Sequence, residues 1–451
     1  MLWLLFYWRL EKEKWFDQLV LAIKELNNKK VDFEIFIFWK WSLESQLFEV
    51  HDMNVHFFGW KPLDEIKKYL ANIDYCLMPS EFLETFGLSA LNALSRWVPV
   101  IWYKKWWLEP FIFQECNLFL AKWNSTAERI VSIVENLAKK TNPERIKDKE
   151  SLEWKIRELL PEYTEDAWYQ RFLKFMSFWM EWNEMKNLKW NTQDPSLRSE
   201  WQSWNQMDSS AKAVSPLNIV EQKIPPTPLA KGGQWTPEWQ NKQKILIISD
   251  FINKAGGIET YIHDVKNLLE SRWHEVVLRW STLPSWSKWQ RKKRFWLLFS
   301  PFNFWSIGDL KNVLEKEKPD VVWFNSLLRW LGPNVVKVAW KWRKKEKPDC
   351  KFWMMYHDFG YFYPFPSQLY HIEDCKTPLS LKNFLSAYKW KNPITKLAVL
   401  CKYLWLQPLK KILKNEIDLH LAPSDCITNI ARDSYQISEK KCKSFPHFIQ
   451  K

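Results

Sequence analysis

The sequence predicts an α/β protein in which a polar linker joins two parallel-sheet domains. Short apolar runs alternate with stretches of helical periodicity over residues 1–182 and again over residues 244–451. This alternation is typical of parallel strands that helices connect. Residues 183–243 are polar and rich in Asn, Gln, Ser and Pro, a composition typical of a flexible linker. A chain of 451 residues is long enough for two or more domains.

In the first domain, apolar runs bounded by turn residues predict the strands, and helical periodicity predicts the segments between them. The predicted strands are residues 2–7, 32–38, 54–58, 74–78, 98–102 and 117–120. The first helix has an apolar stripe at spacings of three and four residues, made of Phe16, Leu19, Val20, Ile23 and Leu26. Asp64 is the predicted N-cap of a later helix, and residues 163–182 are predicted to form a closing helix.

The second domain opens with the strand KILIISD (residues 244–250), followed by the loop NKAGG, a helix over residues 258–272 and the strand HEVVL. Further strands are predicted at residues 320–324, 351–356 and 418–422. The strand, loop and helix order repeats that of the first domain, so we expect a second parallel sheet.

The tryptophan and glycine contents of the chain are both abnormal. There are 33 tryptophans and 9 glycines in 451 residues, so glycine makes up about 2% of the chain, whereas about 7% is usual. Trp97 and Trp273 stand between a helix and a strand, where a C-cap glycine is expected. We therefore expect most of these tryptophans to be glycines encoded by UGA codons. The alternative is a true tryptophan-rich protein that binds carbohydrate or a membrane through exposed indoles.

The charge and cysteine content limit the function classes. A formal net charge of +14 suggests an anionic partner such as nucleotide-sugar phosphates, an acidic membrane surface or nucleic acid. No paired zinc ligands or aromatic ribonucleoprotein signature accompany the charge, so nucleic acid is not the expected partner. The seven cysteines are scattered and lack C-x-x-C spacing, which favours buried free thiols in a reducing compartment.

The first residues, MLWLLFYW, are too short an apolar run for a membrane span and lack the features of a signal peptide. We therefore expect a cytoplasmic protein. Peripheral contact with the inner face of the membrane through lysine-rich surfaces is an additional hypothesis.

Two stretches of the first domain carry a resemblance to a known family. LLFYWRLEKEKW (residues 4–15) and PSEFLETFGLSALNALSRWVPVI (residues 79–101) resemble the carboxy-terminal domain of glycosyltransferase family 4 enzymes, which have the GT-B fold. That family writes the first stretch as G-R-L-x-x-x-K-G and the second around E-x-F-G-L-x-x-L-E-A and G-x-P-V-I. Reading Trp8, Trp15 and Trp97 as glycine restores each glycine of these motifs. The resemblance covers roughly residues 1–180.

The resemblance assigns the donor diphosphate to Arg9 and Lys14, and a guanidinium beside an ammonium suits that charge. The alternative is a pair of solvated surface cations. Glu84 matches the first glutamate of the family's E-x7-E motif, which contacts the donor sugar, and is the candidate catalytic carboxylate. Asn92 stands where the second glutamate would hold the ribose, and an amide can still exchange hydrogen bonds there without charge.

The backbone amides of Phe86, Gly87 and Leu88, at the start of a predicted helix, are expected to meet phosphate oxygens. In the second domain, the stretch from residue 244 to 278 resembles the amino-terminal half of the same family. Its glycine loop, expected to approach the donor phosphates, contains Gly256 and Gly257.

YHDFGYFYP (residues 356–364) resembles the family's H-D-x-x-x-x-x-P segment. The resemblance therefore implies that His357 is an active-site residue, with Asp358 as its neighbour. The alternative is that His357 is a buried histidine with a structural role only.

The resemblance implies two Rossmann-like domains of GT-B type, joined by a flexible linker and placed in reversed order. One explanation is a piece of a longer tandem protein, in which the two halves serve two different sites. The other is a permuted enzyme in which the halves pair. We favour the piece, because Met1 begins inside the first strand and the chain stops where the family crosses between domains.

The function implied by the resemblance is hexosyl transfer from a nucleotide-diphosphate sugar to a glycan or lipid acceptor, with retained anomeric configuration. It serves polysaccharide or lipopolysaccharide synthesis and needs neither a metal nor another cofactor. A second hypothesis, from another class, is a non-catalytic module that binds the nucleotide sugar without turnover.

Overall fold

The computed structural model describes residues 1–7, 16–38, 50, 54–59, 61–79, 86–103, 111–118, 125–176, 242–250, 257–279, 304–327, 331–332, 334–362 and 393–449. The chain divides into two compact units. Met1–Tyr169 and Gln243–Lys451 together form the first, and Gln170–Lys242 forms the second. Residues 177–241, and with them most of the predicted linker, lie outside the described residues.

The first part of the chain forms a five-stranded parallel sheet in the order β3-β2-β1-β4-β5. Its strands are β1 (Leu2–Phe6), β2 (Phe33–Ile37), β3 (Val55–Phe57), β4 (Tyr75–Met78) and β5 (Val100–Trp102). The helices are α1 (Phe16–Asn28), α2 (Leu63–Leu70), α3 (Leu88–Leu94), α4 (Thr126–Ala138), α5 (Asn142–Leu159) and α6 (residues 165–176). β4 is buried along its whole length, because a parallel sheet is covered on both faces.

The second part forms a six-stranded parallel sheet in the order β11-β10-β9-β8-β6-β7. Its strands are β6 (Lys244–Ile248), β7 (Glu275–Arg279), β8 (Val321–Phe324), β9 (Lys351–Met355), β10 (Leu419–Ala422) and β11 (Cys442–Ser444). The helices are α7 (Gly257–Ser271), α8 (Phe304–Glu317), α9 (Asn334–Glu346), α10 (Pro393–Glu416) and α11 (Asp425–Tyr435).

Both sheets reverse the direction of strand addition at their first strand. β1 lies between β2 and β4, and β6 lies between β7 and β8. In open α/β sheets such a reversal opens a crevice at the carboxyl ends of the strands, where ligands bind. The predicted α/β class with parallel sheets is confirmed, and each sheet has one such reversal.

Three predicted details are wrong. Pro62, not Asp64, is the N-cap of α2. Asp64 lies in the first turn, where its carboxylate interacts favourably with the helix dipole. The predicted strand at residues 117–120 is reduced in its described part to an isolated bridge between Asn117 and Trp102. The closing helix begins at residue 165, because residues 160–163 form a 3-10 turn. Its predicted end, residues 177–182, lies outside the described residues.

The predicted apolar stripe of the first helix is confirmed at four of its five positions. The stripe of α1 is buried at Leu19, Val20, Ile23 and Leu26; the side chain of Phe16 lies outside the described set. Among the helices that the structure describes, none combines the length and the apolar character that crossing a membrane requires.

Trp97 and Trp273 both adopt left-handed backbone conformations, with φ of 60° and 70°. Each ends a helix in the same way: the N–H of the next residue donates to a carbonyl five residues back, from Val98 to Ala93 at 3.1 Å and from His274 to Leu269 at 3.1 Å. This is the Schellman pattern, whose left-handed residue is usually glycine because a Cβ is penalised there. The glycine expected at both positions from the sequence therefore matches the backbone geometry.

Replacing Trp273 by glycine should stabilise the protein by about 1 kcal/mol, because the left-handed conformation costs a residue with a Cβ roughly that much. Trp273 is 85% exposed, so little packing is lost. Thermal or urea unfolding of Trp273→Gly against the parent chain measures the change.

Trp154 provides the matched control, since it is 70% exposed in the interior of α5. Trp154→Gly should destabilise the protein by about 0.5 kcal/mol, because glycine is the poorer helix former. If both variants were destabilised alike, the left-handed strain at Trp273 would be disproved.

Candidate functional site

The predicted donor-binding residues are only partly within the described chain. Arg9, Lys14, Glu84 and Gly256 lie outside the described residues. The described part of the candidate site consists of the start of α3 in the first domain and the carboxyl edge of the second sheet.

α3 begins after the carboxyl end of β4, beside the strand-order reversal of the first sheet. Gly87 is its N-cap and has φ of 80°, a left-handed conformation that glycine adopts without steric cost. Phe86 is buried, and Leu88 begins the helix. Backbone N–H groups in the first turn of a helix have no intrahelical acceptor, which makes them suitable donors to an anion.

Asn92 lies one turn into α3 and is buried. Its Nδ2 donates to the carbonyl oxygen of Leu88 at 2.9 Å. The amide nitrogen is therefore already bonded to the backbone of its own helix. Asn92 is near the expected donor-binding helix start, but its described conformation directs one of its two polar atoms back to the helix.

His357 follows the carboxyl end of β9 and is 4% exposed. Its Nε2 lies 2.7 Å from Oδ1 of Asn325, which follows the neighbouring strand β8. The Nδ2 of Asn325 faces the Trp323 carbonyl at 3.3 Å, so Oδ1 is the atom turned toward the histidine. Since a carbonyl oxygen only accepts, Nε2 of His357 must donate and carry the proton.

Burial lowers the pKa of His357 to about 4, with the nearby Asp358 carboxylate opposing the shift. The imidazole is therefore neutral at pH 7, with its proton on Nε2. Its Nδ1 is buried and has no hydrogen-bond partner among the described residues. A neutral histidine in this tautomer offers Nδ1 as an acceptor for a hydroxyl group.

His420 shows what a structural histidine looks like in the same sheet. It is fully buried on β10, its Nδ1 lies 2.9 Å from the Tyr356 hydroxyl, and its Nε2 lies 3.1 Å from the Leu413 carbonyl. Both of its ring nitrogens have protein partners, whereas one nitrogen of His357 has none in the described chain. The contrast favours the active-site interpretation of His357 over a purely structural one.

His447 was missed by the sequence analysis. It follows β11 and is buried, and its ring stacks on His357 with centroids 5.5 Å apart and planes at 22°. The Tyr261 ring lies 3.9 Å away between centroids, and Phe86 meets the His447 ring edge-on at 4.9 Å. Burial lowers the pKa of His447 well below its ordinary value, and His357 adds to this.

Asp250 and Asn325 were also missed, although each directly follows a buried strand. Asp250 is fully buried, and its Oδ1 accepts the N–H of Leu331 at 2.7 Å, which ties the end of β6 to the loop after β8. Polar residues at the carboxyl ends of buried strands were the signal that could have found them. Asp358 has a capping role, because its carboxylate accepts the N–H of Gly360 at 2.8 Å.

Gly257 is the first residue of α7. A Cβ built on it would meet no atom within 4 Å, so packing with the described residues does not require glycine there. Its predicted role in the approach to donor phosphates remains a prediction.

No group of three or more His, Cys, Asp or Glu side chains within the described ranges is arranged to hold a metal ion. The six cysteines of those ranges are free thiols, and Cys76, Cys116, Cys350 and Cys442 are buried. Burial raises the pKa of the Cys350 thiol to about 12, so it is unreactive at neutral pH.

The chain is similar to several known proteins. The family model described as Glycosyl transferases group 1 matches residues 2–160. A Klebsiella pneumoniae protein described as an uncharacterized 41.2 kDa protein in the cps region is 35% identical over 98 residues, which are 22% of this chain and 26% of that protein. The chain thus spans about a quarter of the length of this curated relative.

Solved structures with similarity include the C-terminal domain of a glycosyl transferase group 1 family protein from Francisella tularensis. It is 19% identical, with a TM-score of 0.30, over 35% of this chain and 85% of that one. The catalytic domain of cholesterol-α-glucosyltransferase from Helicobacter pylori is 16% identical, with a TM-score of 0.27, over 34% of this chain and 94% of that one. Residues 2–160, about a third of the chain, are thus similar to a Glycosyl transferases group 1 domain.

Proposed function

We propose that this protein transfers a hexosyl group from a nucleotide-diphosphate sugar to a glycan or lipid acceptor, with retention of configuration. The observation that carries the proposal is the family match of residues 2–160, which contain the diphosphate motif and the E-x-F-G-L motif. The description of the Klebsiella relative, a protein in a cps region, favours a growing polysaccharide as the acceptor. No further cofactor enters the proposal, because the nucleotide sugar is a substrate.

In the proposed reaction, the bond between the sugar and the diphosphate breaks and negative charge develops on the leaving group. Arg9 and Lys14 would neutralise this charge, together with N–H groups near the start of α3, without a metal ion. Such fixed donors lower the barrier because they need little reorganisation as charge develops. Glu84 would contact the donor sugar, Asn92 the ribose, and the loop at Gly256 and Gly257 the phosphates.

His357 would act on the sugar from the second sheet. Its neutral ring, held by Asn325, offers Nδ1 as an acceptor for a sugar hydroxyl. A fixed tautomer is useful here because the hydroxyl then has one defined partner, and a positioned sugar lowers the entropic part of the barrier.

Loss of the diphosphate clamp gives the first test of the function. The probe is whichever of UDP, GDP and ADP the parent chain binds. Arg9→Ala should weaken the binding of this nucleoside diphosphate at least tenfold, because a charge-assisted contact to phosphate is removed. Calorimetry measures the change in nucleotide affinity. In the intact enzyme, both Arg9→Ala and Glu84→Ala should abolish sugar transfer.

Arg157→Ala is the matched control, since it removes another cation of the first domain, on α5, whose exposed side chain pairs with Glu153. It should leave nucleotide affinity unchanged. Equal affinities for the parent, Arg9→Ala and Lys14→Ala would show that the two cations are only solvated surface charges.

The histidine assignment is tested by His357→Ala and His420→Ala together. Both remove a buried ring from the second sheet, so both should lower the free energy of unfolding. Only His357→Ala should abolish sugar transfer while diphosphate affinity stays within about twofold of the parent, because His420 already uses both ring nitrogens within the protein. Equal turnover by the two variants, measured below their unfolding temperatures, would show that the role of His357 is structural. If the parent chain bound the nucleotide sugar without turnover, the non-catalytic alternative would be favoured.

The tryptophan positions belong to the same proposal, since reading Trp8, Trp15 and Trp97 as glycine completes the family motifs. The left-handed backbone at Trp97 and Trp273 supports UGA-encoded glycine there. Lys30 and Gln436 also take positive φ at helix ends, so a left-handed conformation alone does not identify a glycine position. The backbone geometry therefore supports the recoding together with the tryptophan and glycine contents.

Peptide mass spectrometry of the protein from its native cell tests the recoding. Peptides that contain positions 97 and 273 should have glycine masses. Tryptophan masses at both positions would end the recoding hypothesis and favour the aromatic binding alternative.

The setting proposed for the reaction is the cytoplasm, with peripheral contact at the inner face of the membrane. The net charge of +14 supports attraction to an anionic surface. Nucleic acid is not a proposed partner. The proposed domains are residues 1–182 and 244–451, with residues 183–243 as the linker.

A further inference from the structure

Backbone hydrogen bonding joins the segment before α6, in the first half of the chain, to the segment after β11, in the second half. Thr164 and Ile449 form a parallel bridge, and the N–H of Ile449 donates to the carbonyl oxygen of Tyr163 at 2.9 Å. This backbone pairing joins residues almost three hundred positions apart in sequence. It lies just before α6 and just after His447.

The first residues of α6 then pack on the second sheet and on α7. Trp168 is fully buried, its Nε1 donates to the hydroxyl of Tyr261 at 3.2 Å, and its ring contacts Phe445 at 4.8 Å and Phe448 at 5.3 Å between centroids. The Tyr169 hydroxyl lies 2.9 Å from Nε2 of His274. These contacts join the two halves independently of the backbone bridge.

A charged pair adds a third contact between the halves. Asp166, on α6, pairs with Arg272 just after α7, and the guanidinium of Arg272 also lies over the Tyr169 ring at 5.0 Å. Both members of the pair are partly exposed, so the pair can be reversed by substitution without burying a charge.

The candidate site residues of the two halves meet at His447. Phe86, immediately before the N-cap of α3, touches one side of the His447 ring, and His357 stacks on it at 5.5 Å. The His447 ring therefore lies between Phe86, which precedes the helix start expected to meet the donor phosphates, and His357, which is expected to meet the donor sugar.

We infer that the two halves of this chain close one donor site in reversed order, with the α3 start from the first half and His357 from the second facing the same nucleotide sugar. The inference rests on the proposed function for the identity of the ligand. It selects the permuted arrangement over two halves that serve separate sites, because Phe86 of the first half and His357 of the second half both contact the His447 ring.

The test uses the full chain with a protease recognition sequence inserted between residues 210 and 211. After cleavage, the association of the two fragments is measured by analytical ultracentrifugation, with and without UDP, GDP or ADP as the probe. The fragments should remain together at 1 µM, and the bound nucleoside diphosphate should strengthen their association at least fivefold, because both halves contact it.

Charge reversal gives the specific control. Asp166→Arg should weaken fragment association several-fold, and adding Arg272→Asp should restore it, since the pair is then re-formed with opposite polarity. Glu153→Arg reverses a charge that faces Arg157 within α5 and should leave association unchanged.

Two results would overturn the single site while leaving the proposed function in place. In the first, the fragments separate at 1 µM and the amino-terminal fragment, residues 1–210, still binds the diphosphate. In the second, the fragments stay together but the bound diphosphate does not alter their association. If the intact folded chain binds none of the three diphosphates, the proposed function itself is wrong, and the shared site falls with it.

Discussion

The parallel pairing of β8 with β6 and β9 is the constraint on which the second half depends. Parallel register aligns the strands so that all of them end at the same edge, and Asp250, Asn325 and His357 follow those ends. The hydrogen bond between Asn325 and His357 can form only because the two residues follow neighbouring strands. One register shift would turn alternate side chains to the other face and separate the pair.

Burial then decides the chemistry of the histidines at this edge. An imidazolium would lose its hydration there, so His357 and His447 are neutral at pH 7. Asn325 fixes the tautomer of His357 through its Oδ1, and the Trp323 carbonyl fixes the direction of Asn325. The result is a neutral His357 ring whose Nδ1 has no partner among the described residues, stacked on His447, which Phe86 of the first half contacts.

The tryptophans connect composition to backbone geometry. Trp97 and Trp273 have positive φ because a helix ends at each of them in a Schellman pattern. The hydrogen bonds that the following residues donate to the Ala93 and Leu269 carbonyls require this left-handed conformation. The indole contributes nothing to that conformation, and at position 273 it extends into solvent. The indole of Trp97, by contrast, packs at the edge of the first core under the Arg157 guanidinium, so only at position 273 is the side chain without a packing role.

The sequence by itself determined the α/β class, most of the strands, the polar segment between the halves and the identity of the first domain type. These features depend on local apolar runs and on short motifs with fixed spacing, which are readable along the chain. The N-cap of α2 at Pro62 and the reduction of the next predicted strand to a bridge at Asn117 were not readable, because helix boundaries and short edge strands depend on neighbouring elements.

Only the tertiary structure decided which residues come together at the candidate site. His447 lies 90 residues after His357 and more than 350 after Phe86, and no periodicity relates the three positions. They meet because parallel strands end at a common edge and because α6 returns the end of the first half to the second sheet. The sequence therefore specified the elements and their order, while long-range packing, whose partners no local pattern encodes, brought these three residues together.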